Sequence, residues 1–185
     1  MAEGIFSELV VHYSLTYNPC VPILDEHTFE FFSRSAEQTR RIGMRLGSSL
    51  QAGDLICLQG ELGAGKTTLV QGVAQGWGSL DAISSPTFIL VNEYRRPDEG
   101  LLFHMDAYRL ESAGEAAELD VDRMLAEGAL IIEWPERISS ILPGEELRIY
   151  LDTVAEEQRQ MRFKAHGARY DRMLAELQHA MFGVS

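Results

Sequence analysis

The sequence contains no uninterrupted apolar run of the roughly 18 residues that a transmembrane helix requires. We therefore expect no membrane-spanning segment. No Lys or Arg precedes Arg34, so the amino-terminal region lacks the basic stretch that begins a secretory signal. Both observations argue against a membrane protein or an exported one.

Cysteine is almost absent. Cys20 and Cys57 are the only two cysteines, and Cys57 lies inside an apolar stretch that resembles a buried strand. A disulfide between them is not expected, and such low cysteine usage is typical of proteins from a reducing compartment. The sequence therefore predicts a cytoplasmic protein.

Basic charge is scarce as well. The formal net charge is −12, and Lys66 and Lys164 are the only two lysines. A protein that binds nucleic acid by itself usually carries a basic face. If this chain serves a nucleic-acid pathway, we expect another subunit to hold the nucleic acid.

Short apolar segments alternate along the 185 residues with segments of helical periodicity. The run 55–58 is apolar at every position, which is typical of a strand buried on both faces of a parallel sheet. Ser35 precedes a helical stripe that includes Ile42 and Leu46, and Gln38 completes a capping box. The alternation predicts an α/β fold with a mostly parallel central sheet and helices on both faces. The predicted strands are 28–32, 55–58, 88–94, 101–105, 129–132, 147–151 and 161–163, and helices are predicted to begin near residues 35, 66, 112, 135 and 169.

The segment GELGAGKT at 60–67 fits the phosphate-binding pattern G-x-x-x-x-G-K-[ST]. Glycines let the backbone wrap closely around an anion, and the following helix points its positive end at the same place. We expect Lys66 to reach the β- and γ-phosphates and the Thr67 hydroxyl to ligate Mg²⁺. No guanine-reading [NT]-K-x-D motif is present, which favours ATP over GTP. The predicted nucleotide-binding residues of this segment are Gly60, Gly63, Ala64, Gly65, Lys66, Thr67 and Thr68.

Two carboxylates end predicted strands, Asp106 after 101–105 and Glu133 after 129–132. Ligands of parallel sheets bind at the carboxyl ends of the strands, so both acids should project above the phosphate loop. A P-loop enzyme needs a carboxylate for Mg²⁺ and a group that orients the attacking water. The two acids can supply both functions, and the pattern leaves open which of them binds the metal.

Four other side chains are compatible with either a role in the site or a structural role. Thr87 lies in a loop where a hydroxyl can sense a γ-phosphate, but turn residues are common at such positions. His104 alternates with apolar neighbours in a strand and is interpreted as a structural histidine rather than a ligand. Trp134 covers the site, faces a partner or packs in the core. Arg109 either stabilises phosphate charge or pairs with a nearby acid.

Four motifs follow one another at familiar separations: GELGAGKTT at 60–68, SPTF at 85–88, H-x-D-x-YRL at 104–110 and EWP at 133–135. Together they resemble the TsaE family, small bacterial ATPases of tRNA threonylcarbamoyladenosine biosynthesis. The P-loop is generic, whereas its combination with the other three motifs is specific. The resemblance covers about residues 33 to 152. We expect one P-loop ATPase domain over 28–185. It is preceded at 1–27 by an extension of uncertain order, which is longer than the usual short start of the family.

The resemblance also implies a function and a set of site roles. TsaE-like proteins hydrolyse ATP and act on a TsaB–TsaD pair, which modifies adenosine 37 of tRNA, so tRNA contact would be indirect. Carried over by position, Thr67 and Glu133 are expected to ligate Mg²⁺, with Asp106 as the acid that supports water and metal. Thr87 is expected to be the switch residue, and Thr39 is expected near the nucleotide base.

Two other classes of function remain open from the sequence. A small-molecule P-loop kinase would need an acceptor pocket and usually a lid that carries arginines. The stretch 112–127 has a single arginine, Arg123, so a lid is poorly supported. A nucleotide-gated interaction module would bind ATP without turnover. The two strand-end acids argue against this function.

Overall fold

The computed structural model describes residues 23–25, 27–83, 86, 90–110, 114–115 and 118–183. Within these ranges, eight strands form one sheet. None of the helices in the described part of the chain is both long and apolar enough to cross a membrane. The strands are β1 Ile23–Asp25, β2 Thr28–Ser33, β3 Leu55–Gln59, β4 Val91–Arg95, β5 Leu101–Asp106, β6 Gly128–Glu133, β7 Glu146–Thr153 and β8 Arg159–His166. The helices are α1 Ala36–Gly47, α2 Lys66–Trp77, α3 Val121–Glu127 and α4 Ala168–Phe182, with 3₁₀ turns at Ala107–Arg109, Pro135–Arg137 and Ser139–Ile141.

The strand order across the sheet is β1-β2-β8-β7-β3-β6-β5-β4. The central strands β7, β3, β6 and β5 are parallel, while β4 at one edge and β8, β2 and β1 at the other pair antiparallel. The predicted α/β fold with a parallel central sheet is therefore confirmed. Its phosphate loop follows β3, which lies in the middle of the parallel strands, so groups at the ends of β5 and β6 stand close to it.

Alternate residues of β3 pack into two hydrophobic cores on opposite faces of the sheet. Ile56 and Leu58 pack with α1, α2 and α4. Leu55 and Cys57 face the other way and pack with Met124 of α3. This arrangement explains the uninterrupted apolar run of the strand and confirms helices on both faces. Cys57 is a buried free thiol, and burial raises its pKa, with Glu146 adding to the effect.

Helix α1 begins where the capping box predicts. The Ser35 side chain accepts a hydrogen bond from the Gln38 backbone N–H, and the Gln38 side chain accepts one from the Arg34 N–H at 2.8 Å. Ile42 and Leu46 are buried as expected. The helix predicted over 112–127 is confirmed at residues 114–115 and at Val121–Glu127, whereas residues 118 and 119 form a turn that leads to the cap of the second segment, Asp120.

Helices α1 and α2 approach each other through glycines. A Cβ atom on any of four glycines would clash with a backbone carbonyl oxygen of the opposite helix. The two helix backbones are therefore in direct contact. This contact helps to position α2, whose first turn adjoins the phosphate loop. These glycines are Gly43 and Gly47 of α1 and Gly72 and Gly76 of α2.

We expect Gly72→Ala to destabilise the protein. At a solvent-exposed position inside a helix, Gly→Ala would stabilise the protein by about 1 kcal/mol because alanine has the higher helix propensity. Here the new methyl group meets the Arg40 carbonyl oxygen, and overpacking of this kind costs about 1–3 kcal/mol. Urea unfolding should show a lower midpoint. The matched control is Gly144→Ala, where no atom lies within 4 Å of the added Cβ. An unchanged or higher midpoint for Gly72→Ala would contradict the tight packing.

Helix α4 anchors the beginning of β3. Arg169 donates hydrogen bonds to Asp54 Oδ2 at 2.7 Å and to the Ser49 carbonyl at 2.8 Å. Next to it, the Tyr170 hydroxyl accepts a hydrogen bond from the Leu55 N–H at 2.8 Å. The strand that ends at the phosphate loop is thereby fixed at its opposite end.

Candidate nucleotide-binding site

The loop 60–65 joins β3 to α2 and has the backbone of a phosphate loop. Gly63 and Gly65 have φ of 81° and 99°, in the left-handed region that glycine enters at little cost. Gly60 passes so close to the Leu151 carbonyl that a Cβ atom would clash with it. Because α2 begins at Lys66, its free N–H groups and positive dipole end point toward the loop. The geometry suits an anion.

A cavity of about 410 Å³ opens beside this loop. It contains both strand-end acids as well as the first turn of α2, so the sheet brings together groups that are distant in the sequence. Its lining residues are Leu62, Gly63, Gly65, Lys66, Thr67, Thr68, Asp106, Tyr108, Arg109, Glu133 and Trp134.

The Lys66 ammonium group lies against the loop at the wall of this cavity. It donates hydrogen bonds to the carbonyl oxygens of Gly60 at 2.7 Å and Glu61 at 3.0 Å. Burial lowers the pKa of Lys66, while the nearby charges of Glu133 and Asp106 act in the opposite direction. The loop therefore holds one cation where phosphate oxygens would need a counter-charge.

Thr67 and Glu133 are in direct contact. The Thr67 hydroxyl donates a hydrogen bond to Glu133 Oε1 at 3.0 Å, and the Glu133 side chain is almost fully buried. Asp106 lies directly opposite Glu133 in the register of β5 and β6. Its Oδ1 accepts a hydrogen bond from the Tyr108 N–H at 3.0 Å, which caps the 3₁₀ turn Ala107–Arg109. The fold thus places both predicted acids beside the phosphate loop.

The oxygen atoms at this place fit Mg²⁺. A threonine hydroxyl and carboxylates are hard ligands, and Mg²⁺ is usually bound by one or two carboxylates together with phosphate oxygens. Thr67 and Glu133 are already adjacent, with Asp106 on the neighbouring strand. The described part of the chain contains no metal site built from three or more His, Cys, Asp or Glu side chains alone. A site here would therefore combine the carboxylates with the threonine hydroxyl and phosphate oxygens.

Trp134 covers the site. Its backbone is left-handed, with φ of 61°, and its ring centre lies 4.0 Å from Lys66 Nζ. The Tyr108 ring packs against it, with 5.0 Å between ring centres. The indole lines the cavity and also packs against the core that contains Cys57, so the site interpretation and the core interpretation are both confirmed. A cation over an indole face is also electrostatically favourable.

Two residues near the site were missed by sequence reasoning. The sequence pattern predicts a structural histidine at 104, and the residue is fully buried and does not line the cavity; what the pattern missed is that Nε2 lies 3.0 Å from Glu133 Oε1. Arg159 of β8 donates hydrogen bonds to the carbonyl oxygens of Ala64 at 3.0 Å and Gly63 at 3.4 Å. The first contact had a signal in the sequence: His104 lies two residues before the acid that ends its own strand, and the next strand also ends in an acid. Nothing local hinted at the second, because Arg159 lies 95 residues from its partner Ala64.

Two other predicted site residues are not brought into this cavity. Thr39 is buried in α1, where its hydroxyl contacts Ser33 Oγ at 2.7 Å, and it is not among the lining residues. Its proximity to a nucleotide base stays a prediction. Thr87 lies outside the described residues, so its role as a switch residue stays a prediction as well.

Comparison with known sequences gives a family match. The family model described as "Threonylcarbamoyl adenosine biosynthesis protein TsaE" matches residues 33–161. A Bacillus subtilis protein named tRNA threonylcarbamoyladenosine biosynthesis protein TsaE is 36% identical over 143 residues, covering 76% of this chain and 88% of its own length. A protein of the same name from Treponema pallidum is 39% identical over 130 residues, covering 70% and 95%.

A solved structure agrees with these sequence matches. The crystal structure of Bacillus subtilis YdiB superposes with a TM-score of 0.69 at 30% sequence identity. The superposition covers 83% of this chain and 96% of YdiB. The fold likeness and the sequence likeness therefore extend over most of both proteins.

Proposed function

The chain belongs to the TsaE family, and on this basis we propose that it is the ATP-binding and ATP-hydrolysing subunit of the machinery that forms N6-threonylcarbamoyladenosine at position 37 of tRNA. The observation that carries the enzymatic part is the hydrogen bond from Thr67 to Glu133 beside the ammonium group of Lys66. A P-loop hydroxyl paired with a strand-end acid is the arrangement that Mg²⁺-dependent phosphate chemistry requires.

Each part of the site has a proposed role. Lys66 and the loop N–H groups bind the β- and γ-phosphates, and Thr68 adds to this first helical turn. Thr67 and Glu133 would hold Mg²⁺, which when bound neutralises charge on the phosphate oxygens. Asp106 supports the metal and orients the water that attacks the γ-phosphorus, and Thr87 senses the γ-phosphate.

The charge of the chain agrees with a role inside a larger assembly. A net charge of −12 makes independent tRNA binding unfavourable. We propose that homologues of TsaB and TsaD contact the tRNA and that this chain acts on their pair. We propose that the protein acts in the cytoplasm, as a role in tRNA modification would require.

The first test is ATP hydrolysis by the purified chain, measured alone and then with TsaB and TsaD from the same source. We expect slow release of phosphate that rises when the pair is added, because the proposed role is exerted on that pair. Phosphate release should need Mg²⁺ in both samples. Parallel assays with Lys66→Ala protein exclude a contaminating ATPase.

Other outcomes of the same assay would favour other functions. Activity that ignores the pair but rises with a small metabolite, with phosphate transferred to it, would show a small-molecule kinase. ATP binding without any turnover, with or without the pair, would show a nucleotide-gated interaction module. Either result would overturn the proposed function.

A further inference from the structure

We propose that His104 is a positioning residue that orients Glu133 for metal binding, an inference that rests on the proposed Mg²⁺-dependent function. The sequence pattern favoured a structural histidine. The contact with Glu133 changes that interpretation, because it connects a buried side chain to the acid that touches Thr67.

The register of the sheet brings the two side chains together. His104 of β5 pairs with Ile131 of β6, two residues before Glu133. Residues two apart on a strand share a face, so His104 and Glu133 are diagonal neighbours, within reach of long side chains. His104 is fully buried, and Nε2 lies 3.0 Å from Glu133 Oε1.

Two donors contact Glu133 Oε1. The Thr67 hydroxyl donates to this oxygen at 3.0 Å, and His104 Nε2 also lies 3.0 Å from it. The part of the chain that the structure describes supplies no hydrogen bond to Oε2. Two donors on one oxygen fix the rotation of the carboxylate, and the second oxygen stays available to a ligand in the cavity that Glu133 lines.

The other ring nitrogen of His104 supports this role. Nδ1 is buried and has no hydrogen-bond partner among the residues that the structure describes. A carboxylate can only accept, so Nε2 carries a hydrogen in this contact. Among the described residues, the hydrogen bond to Glu133 is therefore the one that orients the imidazole.

The test compares two amide substitutions that differ in reach. In His104→Gln the amide nitrogen can occupy the place of Nε2, whereas in His104→Asn it lies closer to the place of Nδ1. Loss of a hydrogen bond behind a metal ligand typically lowers metal affinity or activity about 10- to 100-fold. We expect a loss of that size for His104→Asn and near-complete rescue by His104→Gln. The control is His166→Asn, at the end of β8, which should behave as wild type.

The main readout is Mn²⁺ affinity, measured by electron paramagnetic resonance in the presence of a non-hydrolysable ATP analogue. Binding of the analogue without metal should be unchanged in all variants, because His104 does not line the cavity. Equal Mn²⁺ affinity in folded His104→Asn and wild-type protein, or an equal loss in both amide variants, would overturn the proposal. Because this readout needs no turnover, it tests His104 even if the wild-type chain proves not to hydrolyse ATP.

A measurement on the wild-type protein covers the case in which the variants fold poorly. The ¹⁵N resonances of the ring should show a hydrogen on Nε2, and the Nε2 resonance should move when Mg²⁺ and ADP are added together. A protonated Nδ1 with a bare Nε2 would remove the hydrogen bond on which the proposal depends.

Discussion

Lys66→Ala should lower the affinity for ATP by roughly 100-fold, which corresponds to about 2.7 kcal/mol, and phosphate release should fall below detection. The ammonium group is the one lysine charge in the cavity that the structure describes. Its removal leaves phosphate oxygens beside Glu133 and Asp106 without that counter-charge, so repulsion adds to the lost hydrogen bonds. Isothermal titration with ATP and Mg²⁺ measures the affinity, and phosphate release measures the rate.

The matched control is Lys164→Ala. Lys164 is the only other lysine, and it is exposed on β8, away from the cavity. This variant should bind and hydrolyse ATP as the wild type does. If Lys66→Ala retained wild-type affinity, the loop would not be the phosphate site, and the proposed function would lose its basis.

Glu133→Gln should separate binding from turnover. The glutamine oxygen can still accept from Thr67 and His104, so the fold and the nucleotide affinity should change little. The lost negative charge weakens Mg²⁺ binding at the place where phosphate charge must be neutralised. A loss of about 3–4 kcal/mol in transition-state stabilisation predicts a kcat lower by roughly 100- to 1000-fold.

Glu176→Gln provides the control for this change, since Glu176 is an exposed acid of α4 that does not line the cavity. Asp106→Asn is measured in the same assay to decide which acid holds the metal. The acid whose loss causes the larger rise in the Mg²⁺ concentration needed for half-maximal rate is the metal ligand. We expect the larger rise for Glu133→Gln, since Thr67 contacts Glu133. Hydrolysis at the wild-type rate by Glu133→Gln would show that this assignment is wrong.

The local patterns of the sequence predicted most of the fold. The apolar run 55–58 became β3, the capping box at Ser35 begins α1, and the acids Asp106 and Glu133 end β5 and β6. These features depend on neighbours within a few residues, because strand burial, helix capping and turn geometry are short-range effects. The same patterns placed the acids at the carboxyl edge of the sheet, next to the phosphate loop.

The sequence by itself therefore determined the phosphate loop, its lysine and threonine, and the two strand-end acids as candidates. Only the tertiary structure decided that Thr67 contacts Glu133, that His104 touches the same carboxylate oxygen and that Arg159 supports the loop. The physical reason is strand order and register. The alternation of side chains along a strand predicts which face of the sheet a residue occupies. Which residue of a neighbouring strand it contacts is fixed only when β5 pairs with β6 and β8 with β7.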